Sequence, residues 1–166
     1  MKLSILITLL NEELVLAQTH KAISEKLESM ILSEELSDYE ILYVDDGSSD
    51  GTLKLIDAIA DENPRVKYIS FSRNFGRESG ILAGFKYATG DAVMVMDGDL
   101  QHPPYLIPLF VEAYKEGYDI VSGQRTREGE SFVGSFFARS FYKFSNHSMD
   151  VKLTDGKSEL RLLSKR

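Results

Sequence analysis

The sequence predicts an α/β protein with a mostly parallel central sheet flanked by helices. Short apolar runs alternate along the chain with longer segments of helical period, which is typical of this class. The first run, residues 3–10, is nearly continuous, as expected of a strand that helices cover on both faces. The chain has 166 residues, is 43% hydrophobic and contains no repeat or linker, so we predict a single domain over residues 1–166.

The first strand is predicted to lead into a helix that has Asn11 as its N-cap. Glu12 and Glu13 favour the positive end of the helix dipole, and apolar residues then recur at helical spacing: Leu14, Ala17, Ile23, Leu27 and Ile31. A second strand, residues 40–44, ends in the turn-forming residues 45–51. The helix that follows this turn is predicted to stop at Asn63-Pro64.

The same alternation continues through the next 60 residues. Residues 66–71 are predicted as a strand, residues 72–76 as a loop, and residues 77–88 as a helix that Thr89-Gly90 closes. Residues 92–96 form a predicted fourth strand. A helix then opens at Pro103-Pro104 and closes at Gly117, and residues 119–122 form a fifth strand.

Composition excludes several classes of site. The chain has no cysteine, which rules out disulfides, thiolate zinc sites and thiol nucleophiles, and its three histidines are too scattered to favour zinc. The net charge of −7 argues against general nucleic-acid binding. Residues 121–166, however, carry 9 Lys and Arg against 5 Asp and Glu, so this end suits an anionic partner.

Membrane and export segments are not predicted. No apolar run reaches the roughly 18–20 residues that span a bilayer, so the chain as given is predicted to be soluble. The run at residues 3–10 resembles a signal peptide only faintly, because Asn11-Glu12-Glu13 follows it without a small-residue cleavage site.

Polar clusters follow three of the predicted strands. They are Asn11-Glu12, Asp45-Asp46 and Asp97-Gly98-Asp99, and the carboxyl ends of parallel strands are where such sheets bind ligands. Carboxylates one residue apart repel each other unless a cation joins them, and hard oxygen ligands select magnesium or manganese. Asp-Gly-Asp is also an ordinary turn, but the longer string over residues 97–104 favours a site.

That string and five other segments resemble the family 2 glycosyltransferases, in the branch of dolichol-phosphate mannose synthases and bacterial undecaprenyl-phosphate glucosyltransferases. The segments are residues 3–13, 45–50, 72–76, 97–104, 123–125 and 156–163. The resemblance implies a GT-A fold, a Rossmann-like nucleotide-diphospho-sugar transferase fold. It also implies transfer of a hexose, with inversion, from UDP- or GDP-hexose to a polyprenyl phosphate.

The resemblance also implies roles for individual residues. Positions matching Thr8, Leu10, Glu12, Asp46 and Gly98 bind the nucleotide in this family, although relatives often have an aromatic residue where Leu10 stands. The remaining implied positions are grouped by role: Asp97, Asp99 and Gln101 for Mg²⁺ or Mn²⁺ and the diphosphate, Arg125 and Arg139 for the acceptor phosphate, and Asp97, Asp99 and Arg125 as catalytic residues.

The acceptor and its chemistry stay open at this point. A polyprenyl phosphate oxygen is already ionised at neutral pH, whereas a glycan hydroxyl would need a base such as Asp155 or Glu159. A phospho-aspartyl protein does not fit the order of strands and acidic residues. A nucleotide-sugar-binding remnant without transferase activity is the alternative from another class.

The resemblance carries expectations about the whole protein as well. Relatives continue past position 166, so we expect either a chain truncated at its C-terminus or a naturally shortened member of the family, and a full-length protein at the cytoplasmic face of the membrane. Five phenylalanines at helical spacing form either core or a membrane-surface helix with Arg139: Phe132, Phe136, Phe137, Phe141 and Phe144. No nucleic-acid partner is expected, and a homo-oligomer is left open.

Overall fold

A computed structural model describes residues 1–99, 101–124 and 157–165. Its elements in chain order are β1 (Lys2–Leu9), α1 (Leu16–Leu32), β2 (Asp38–Asp45), α2 (Thr52–Glu62), β3 (Val66–Ser70), α3 (Arg77–Tyr87), β4 (Ala92–Asp97), α4 (Ile107–Lys115), β5 (Ile120–Gln124) and β6 (Lys157–Ser164). A 3-10 turn, Pro104–Leu106, precedes α4. Within these ranges, no helix is both long enough and apolar enough to cross a membrane.

The chain divides into two compact units, one comprising Met1–Val121 with Leu160–Arg166 and the other Ser122–Glu159. The first unit contains the residues that line the cleft described in the next subsection. The single domain predicted over residues 1–166 stays a prediction.

The six strands form one mixed sheet in the order β3-β2-β1-β4-β6-β5. Strand β1 pairs in parallel with both β2 and β4, and β2 pairs in parallel with β3. The register places Leu9 opposite Asp45 and Thr8 opposite Asp97, so three strands end at the same level. The predicted α/β architecture is therefore confirmed, with β6 added antiparallel to β4.

Strand β1 is buried on both faces of the sheet, which explains the nearly continuous apolar run at residues 3–10. Leu3, Ile5 and Ile7 pack into a core that α1, α2 and α4 cover, while Leu6 points into a second core beneath α3. On that second face, α3 lies so close to β1 that a Cβ on Gly84 would come within 2.1 Å of the Leu6 side chain. Small residues on α3 therefore set the distance between this helix and the sheet.

The predicted start of the first helix was wrong. Helix α1 begins at Leu16 and has no side-chain cap, whereas Asn11 adopts a positive φ of 57° in the preceding loop. Asparagine tolerates this conformation, and the Asn11 Oδ1 accepts the Ser49 backbone N–H at 2.8 Å instead of capping a helix. Leu14, predicted as the first of the apolar residues at helical spacing, lies before α1 and is 92% exposed.

Candidate functional site

An open cleft of about 290 Å³ lies where β1, β2 and β4 end. The residues that line it come from the ends of β1 and β4, from the loops that follow β1, β2, β3 and β4, and from the start of α3: Thr8, Leu9, Leu10, Glu12, Asp46, Asn74, Gly76, Arg77, Asp97, Gly98 and Asp99. Four of these side chains are acidic and one is basic. The cleft is therefore polar and carries an excess of carboxylates.

The segment that leaves β1 is tied to the loop that follows β2. The Glu12 backbone N–H donates to Thr52 Oγ1 at 2.8 Å, and the Glu13 carboxylate accepts the Gly51 N–H at 2.5 Å. These bonds orient the segment so that Glu12 lines the cleft. Burial, together with the negative charges of Asp99 and Asp50, raises the pKa of Glu12 above its usual 4.5.

Asp46 holds the loop that precedes α3. One carboxylate oxygen accepts the Phe75 N–H at 2.7 Å and the other accepts the Gly76 N–H at 2.9 Å, and the side chain is 4% exposed. The next residue, Gly47, has a φ of +75°, and a Cβ there would lie 2.4 Å from the Arg73 carbonyl carbon. This close approach requires glycine and places Asn74 at the cleft wall.

The Asp97-Gly98-Asp99 turn is held by two buried side chains. Thr19, on α1, donates its hydroxyl to the Gly98 carbonyl at 2.8 Å. His102 is 4% exposed, and its Nδ1 lies 3.2 Å from both the Asp97 backbone N and the Asp97 Oδ2. A neutral ring protonated on Nε2 accepts the Asp97 N–H, and a charged ring donates to the carboxylate. In either state His102 fixes the turn at the end of β4.

The other Asp97 carboxylate oxygen pairs with Arg77, the first residue of α3. Arg77 Nη2 lies 2.5 Å from Asp97 Oδ1, and the two side chains are 33% and 22% exposed. Two residues after Asp97, the Asp99 Oδ1 accepts the Gln101 backbone N–H at 3.0 Å. The positive charge of Arg77 thus lies directly on one of the two carboxylates predicted to bind metal.

The structure brings together seven of the predicted site residues in this cleft: Thr8, Leu10, Glu12, Asp46, Asp97, Gly98 and Asp99. Their roles stay predictions. Gln101 is exposed and lies close to Asp99. Its role as a metal ligand also stays a prediction. Sequence reasoning missed Asn74 and Arg77 as cleft residues. The sequence did carry a signal for Asn74. This residue lies in the loop that follows the third predicted strand, and the polar clusters were selected because they follow other strands in the same way.

The remaining predicted residues lie outside the described part of the chain. They are Arg125, Arg139, Asp155, the Glu159 side chain and the phenylalanines between positions 132 and 144.

The donor atoms at the cleft suit a magnesium or manganese ion. In the described ranges, no three His, Cys, Asp or Glu side chains are grouped to hold a metal. Mg²⁺, however, is usually bound by one or two carboxylates together with substrate phosphates and water. Asp97 and Asp99 supply such a pair of carboxylates on one turn that opens into the cleft.

Sequence comparisons match this chain to glycosyltransferases. The family model described as Glycosyl transferase family 2 matches residues 4–163. CsbB of Bacillus subtilis (strain 168) is 47% identical over 163 residues, which cover 98% of this chain and 48% of that protein. Its name describes it as a glycosyltransferase and specifies no substrate. The bactoprenol glucosyl transferase of Shigella phage SfX is 36% identical over an alignment of 168 positions, which covers 99% of this chain and 53% of that protein. The chain thus spans about half the length of these relatives.

Solved structures agree on the fold. A mannosyltransferase from Pyrobaculum calidifontis, determined with GDP-Man and Mn²⁺, superposes with a TM-score of 0.65 at 18% identity, covering 98% of this chain and 44% of that one. Glucosyl-3-phosphoglycerate synthase from Mycobacterium tuberculosis, determined with UDP, gives a TM-score of 0.61 at 20% identity, covering 98% and 56%. These neighbours have the GT-A fold, so that prediction is confirmed.

Proposed function

The chain belongs to glycosyl transferase family 2, and from this membership we propose that it transfers a hexose, with inversion, from a nucleoside diphosphate sugar to a polyprenyl phosphate. The observation that carries the proposal is the convergence of Asp97 and Asp99 with Glu12 and Asp46 in one cleft at the carboxyl ends of three strands. Parallel sheets bind nucleotides at this position.

Asp97 and Asp99 would hold the divalent ion, with the Gln101 side chain as the proposed third ligand. When bound, the ion neutralises the negative charge that develops on the β-phosphate as the nucleoside diphosphate departs. The rigid turn supports this role, because Thr19 and His102 fix its backbone from the buried side. Ligands held in place in advance lose little conformational freedom when the ion and the diphosphate bind.

The other end of the cleft suits the nucleoside. Leu10 is 40% exposed and presents an aliphatic surface, so a base would be held there without aromatic stacking. Thr8 and Glu12 supply oxygen atoms for ribose hydroxyls. Asp46 is 4% exposed and both its oxygens accept backbone N–H groups, so its main contribution is to position the loop around Asn74.

The proposed acceptor rests on the named activity of relatives. The phage protein described as a bactoprenol glucosyl transferase is 36% identical to this chain, and a polyprenyl phosphate needs no general base to become a nucleophile. Arg125 and Arg139 are proposed to bind the acceptor phosphate through their guanidinium groups. This acceptor would place the reaction at the cytoplasmic membrane surface.

Two measurements test the proposal. Calorimetry with UDP, GDP and their hexose derivatives, with and without Mn²⁺, measures donor binding, and incubation of labelled nucleotide-sugar with a short-chain polyprenyl phosphate measures transfer. Asp99→Asn should abolish metal-dependent nucleotide binding. Asp61→Asn, an exposed change on α2, serves as its matched control.

The outcomes separate the alternatives. Metal-dependent binding with a labelled lipid product supports the whole proposal, and product formed only with a glycan acceptor would overturn the acceptor. Binding without transfer to either acceptor would favour a nucleotide-sugar-binding remnant. Absence of metal-dependent nucleotide binding would refute the site.

A further inference from the structure

Arg77 is the one basic side chain among the described residues that line the cleft. It forms an ion pair with Asp97, which the proposed function makes a metal ligand. Its Nη2 lies 2.5 Å from Asp97 Oδ1, and both side chains are partly buried. Glu12, Asp46 and Asp99 line the same cleft. Arg77 therefore serves as the internal counter-ion of an acidic cleft.

Arg77 and a divalent cation compete for the same oxygen. A guanidinium nitrogen at 2.5 Å from Asp97 Oδ1 occupies the space in which an ion would approach that atom, and two cations so close together repel each other. The opposite oxygen, Oδ2, faces the Nδ1 atom of the buried His102 at 3.2 Å. An ion that takes the position of this nitrogen on Oδ1 thus displaces Arg77.

A displaced Arg77 has an anionic partner in the same cleft. Its side chain starts at the first residue of α3, directly after Gly76, and both residues line the cleft that the donor diphosphate would enter. A guanidinium presents a planar fork of donors that matches two phosphate oxygens. Exchanging Asp97 for the diphosphate keeps the guanidinium hydrogen-bonded in both states.

We propose that Arg77 is a diphosphate-binding residue that Asp97 holds until a divalent cation takes that carboxylate. The inference rests on the proposed function, because it takes the ligand to be a nucleoside diphosphate. Its consequence is thermodynamic coupling. The cation releases Arg77 for the nucleotide, and by linkage the nucleotide favours the cation by the same factor.

Mn²⁺ binding, followed by the electron paramagnetic resonance signal of the free ion, tests this coupling with and without saturating UDP or GDP. Arg77→Met should bind Mn²⁺ alone more tightly than the parent chain, because the competing cation is gone. The tightening of Mn²⁺ binding that the nucleotide produces should fall by about tenfold. Arg77→Lys should keep the competition but lose part of the tightening, because an ammonium lacks the fork.

Arg73→Met is the matched control. Arg73 lies in the loop before α3, and its guanidinium stacks 4.6 Å from the centre of the Phe75 ring. The substitution therefore removes a nearby positive charge without changing a contact to Asp97. It should leave both Mn²⁺ affinities within about twofold of the parent values. Equal behaviour of the Met variants at positions 73 and 77 would overturn the proposal and leave only a general charge effect.

A measurement on the unmodified chain covers the case in which Arg77→Met fails to fold. The Arg77 Nε–Hε resonance, assigned by its loss in Arg77→Lys, should shift when Mg²⁺ alone is added and shift again with UDP. A resonance that Mg²⁺ leaves in place would refute the displacement. If the parent chain binds no metal–nucleotide complex, the proposed function itself fails. If it binds one with unchanged coupling in Arg77→Met, only the role of Arg77 fails.

Discussion

Glu40 on β2 provides a test of the scaffold that is independent of the functional cleft. Its carboxylate is buried, with 2% of the residue exposed, and lies toward the amino ends of the strands. It accepts hydrogen bonds from the Ser4 hydroxyl at 2.6 Å, from the Thr89 N–H and hydroxyl at 2.5 and 2.8 Å, and from Lys67 Nζ at 3.0 Å. One side chain thus joins β1, β3 and the turn that precedes β4.

The free energy by which ionised Glu40 stabilises the fold follows from the pKa of its carboxyl group. Burial by itself would raise the pKa of Glu40, but the hydrogen bonds from Ser4, Thr89 and Lys67 outweigh it and lower the value from 4.5 to about 2. Because the folded pKa lies below the unfolded one, ionised Glu40 stabilises the fold above pH 4.5. That stabilisation, about 3 kcal/mol at pH 7, is lost progressively as the pH falls toward 2.

Glu40→Gln should therefore lower the free energy of unfolding by about 3 kcal/mol at pH 7 and by only about 1.5 kcal/mol at pH 3. Urea denaturation followed by circular dichroism at both pH values measures the difference. Glu25→Gln is the control, because Glu25 is exposed and its 3.9 Å ion pair with Lys21 should contribute at most about 0.5 kcal/mol. Equal losses in the two variants, or a loss in Glu40→Gln that does not shrink at pH 3, would refute the reasoning.

Three further substitutions test the cleft. Asp46→Asn leaves one of two loop N–H groups without an acceptor, so it should cost about 1–3 kcal/mol of stability and weaken nucleotide binding, measured by denaturation and calorimetry. Thr19→Val leaves the Gly98 carbonyl unpaired and should weaken Mn²⁺ binding in the same titrations; unchanged affinity would exclude a positioning role. Glu12→Gln should raise the melting temperature at pH 7 but not at pH 4. The folded pKa of Glu12 is raised, so its ionisation destabilises the fold as the pH rises through that value; a lower melting temperature at pH 7 would contradict this.

Much of the fold was predictable because the sheet is parallel and covered on both faces. Strands buried on both sides appear in the sequence as apolar runs, and residues 3–10 mark β1 almost completely. The start of α1 was mispredicted because the local sequence does not distinguish an asparagine that caps a helix from one that adopts a positive φ. The choice at Asn11 depends on Ser49, which lies 38 positions away in the chain. Strand β6 was not predicted, although buried Leu160 and Leu162 alternate there with exposed Arg161.

The cleft was predictable to the extent that strand ends mark it. Asp97 and Asp99 stand directly after β4, where a ligand crevice is expected, and the register of β1 with β4 brings Thr8 beside them. Arg77 gave no such signal. At the first position of a helix an arginine resembles an ordinary solvent-facing charge, and its contact with Asp97 is visible in the three-dimensional structure but not in the sequence.

The acidity of the cleft constrains how an anionic donor can enter it. Among the lining residues that the structure describes, four carboxylates face a single guanidinium, and the pKa of Glu12 is already raised by burial and by neighbouring negative charge. A nucleoside diphosphate brought alone into this field would add further negative charge in a partly desolvated site. The nucleotide alone should therefore bind weakly, and the divalent cation should arrive before it or with it. The net charge of −7 consequently does not argue against a phosphate-bearing substrate, because the carboxylates in the cleft are the groups that recruit its counter-ion.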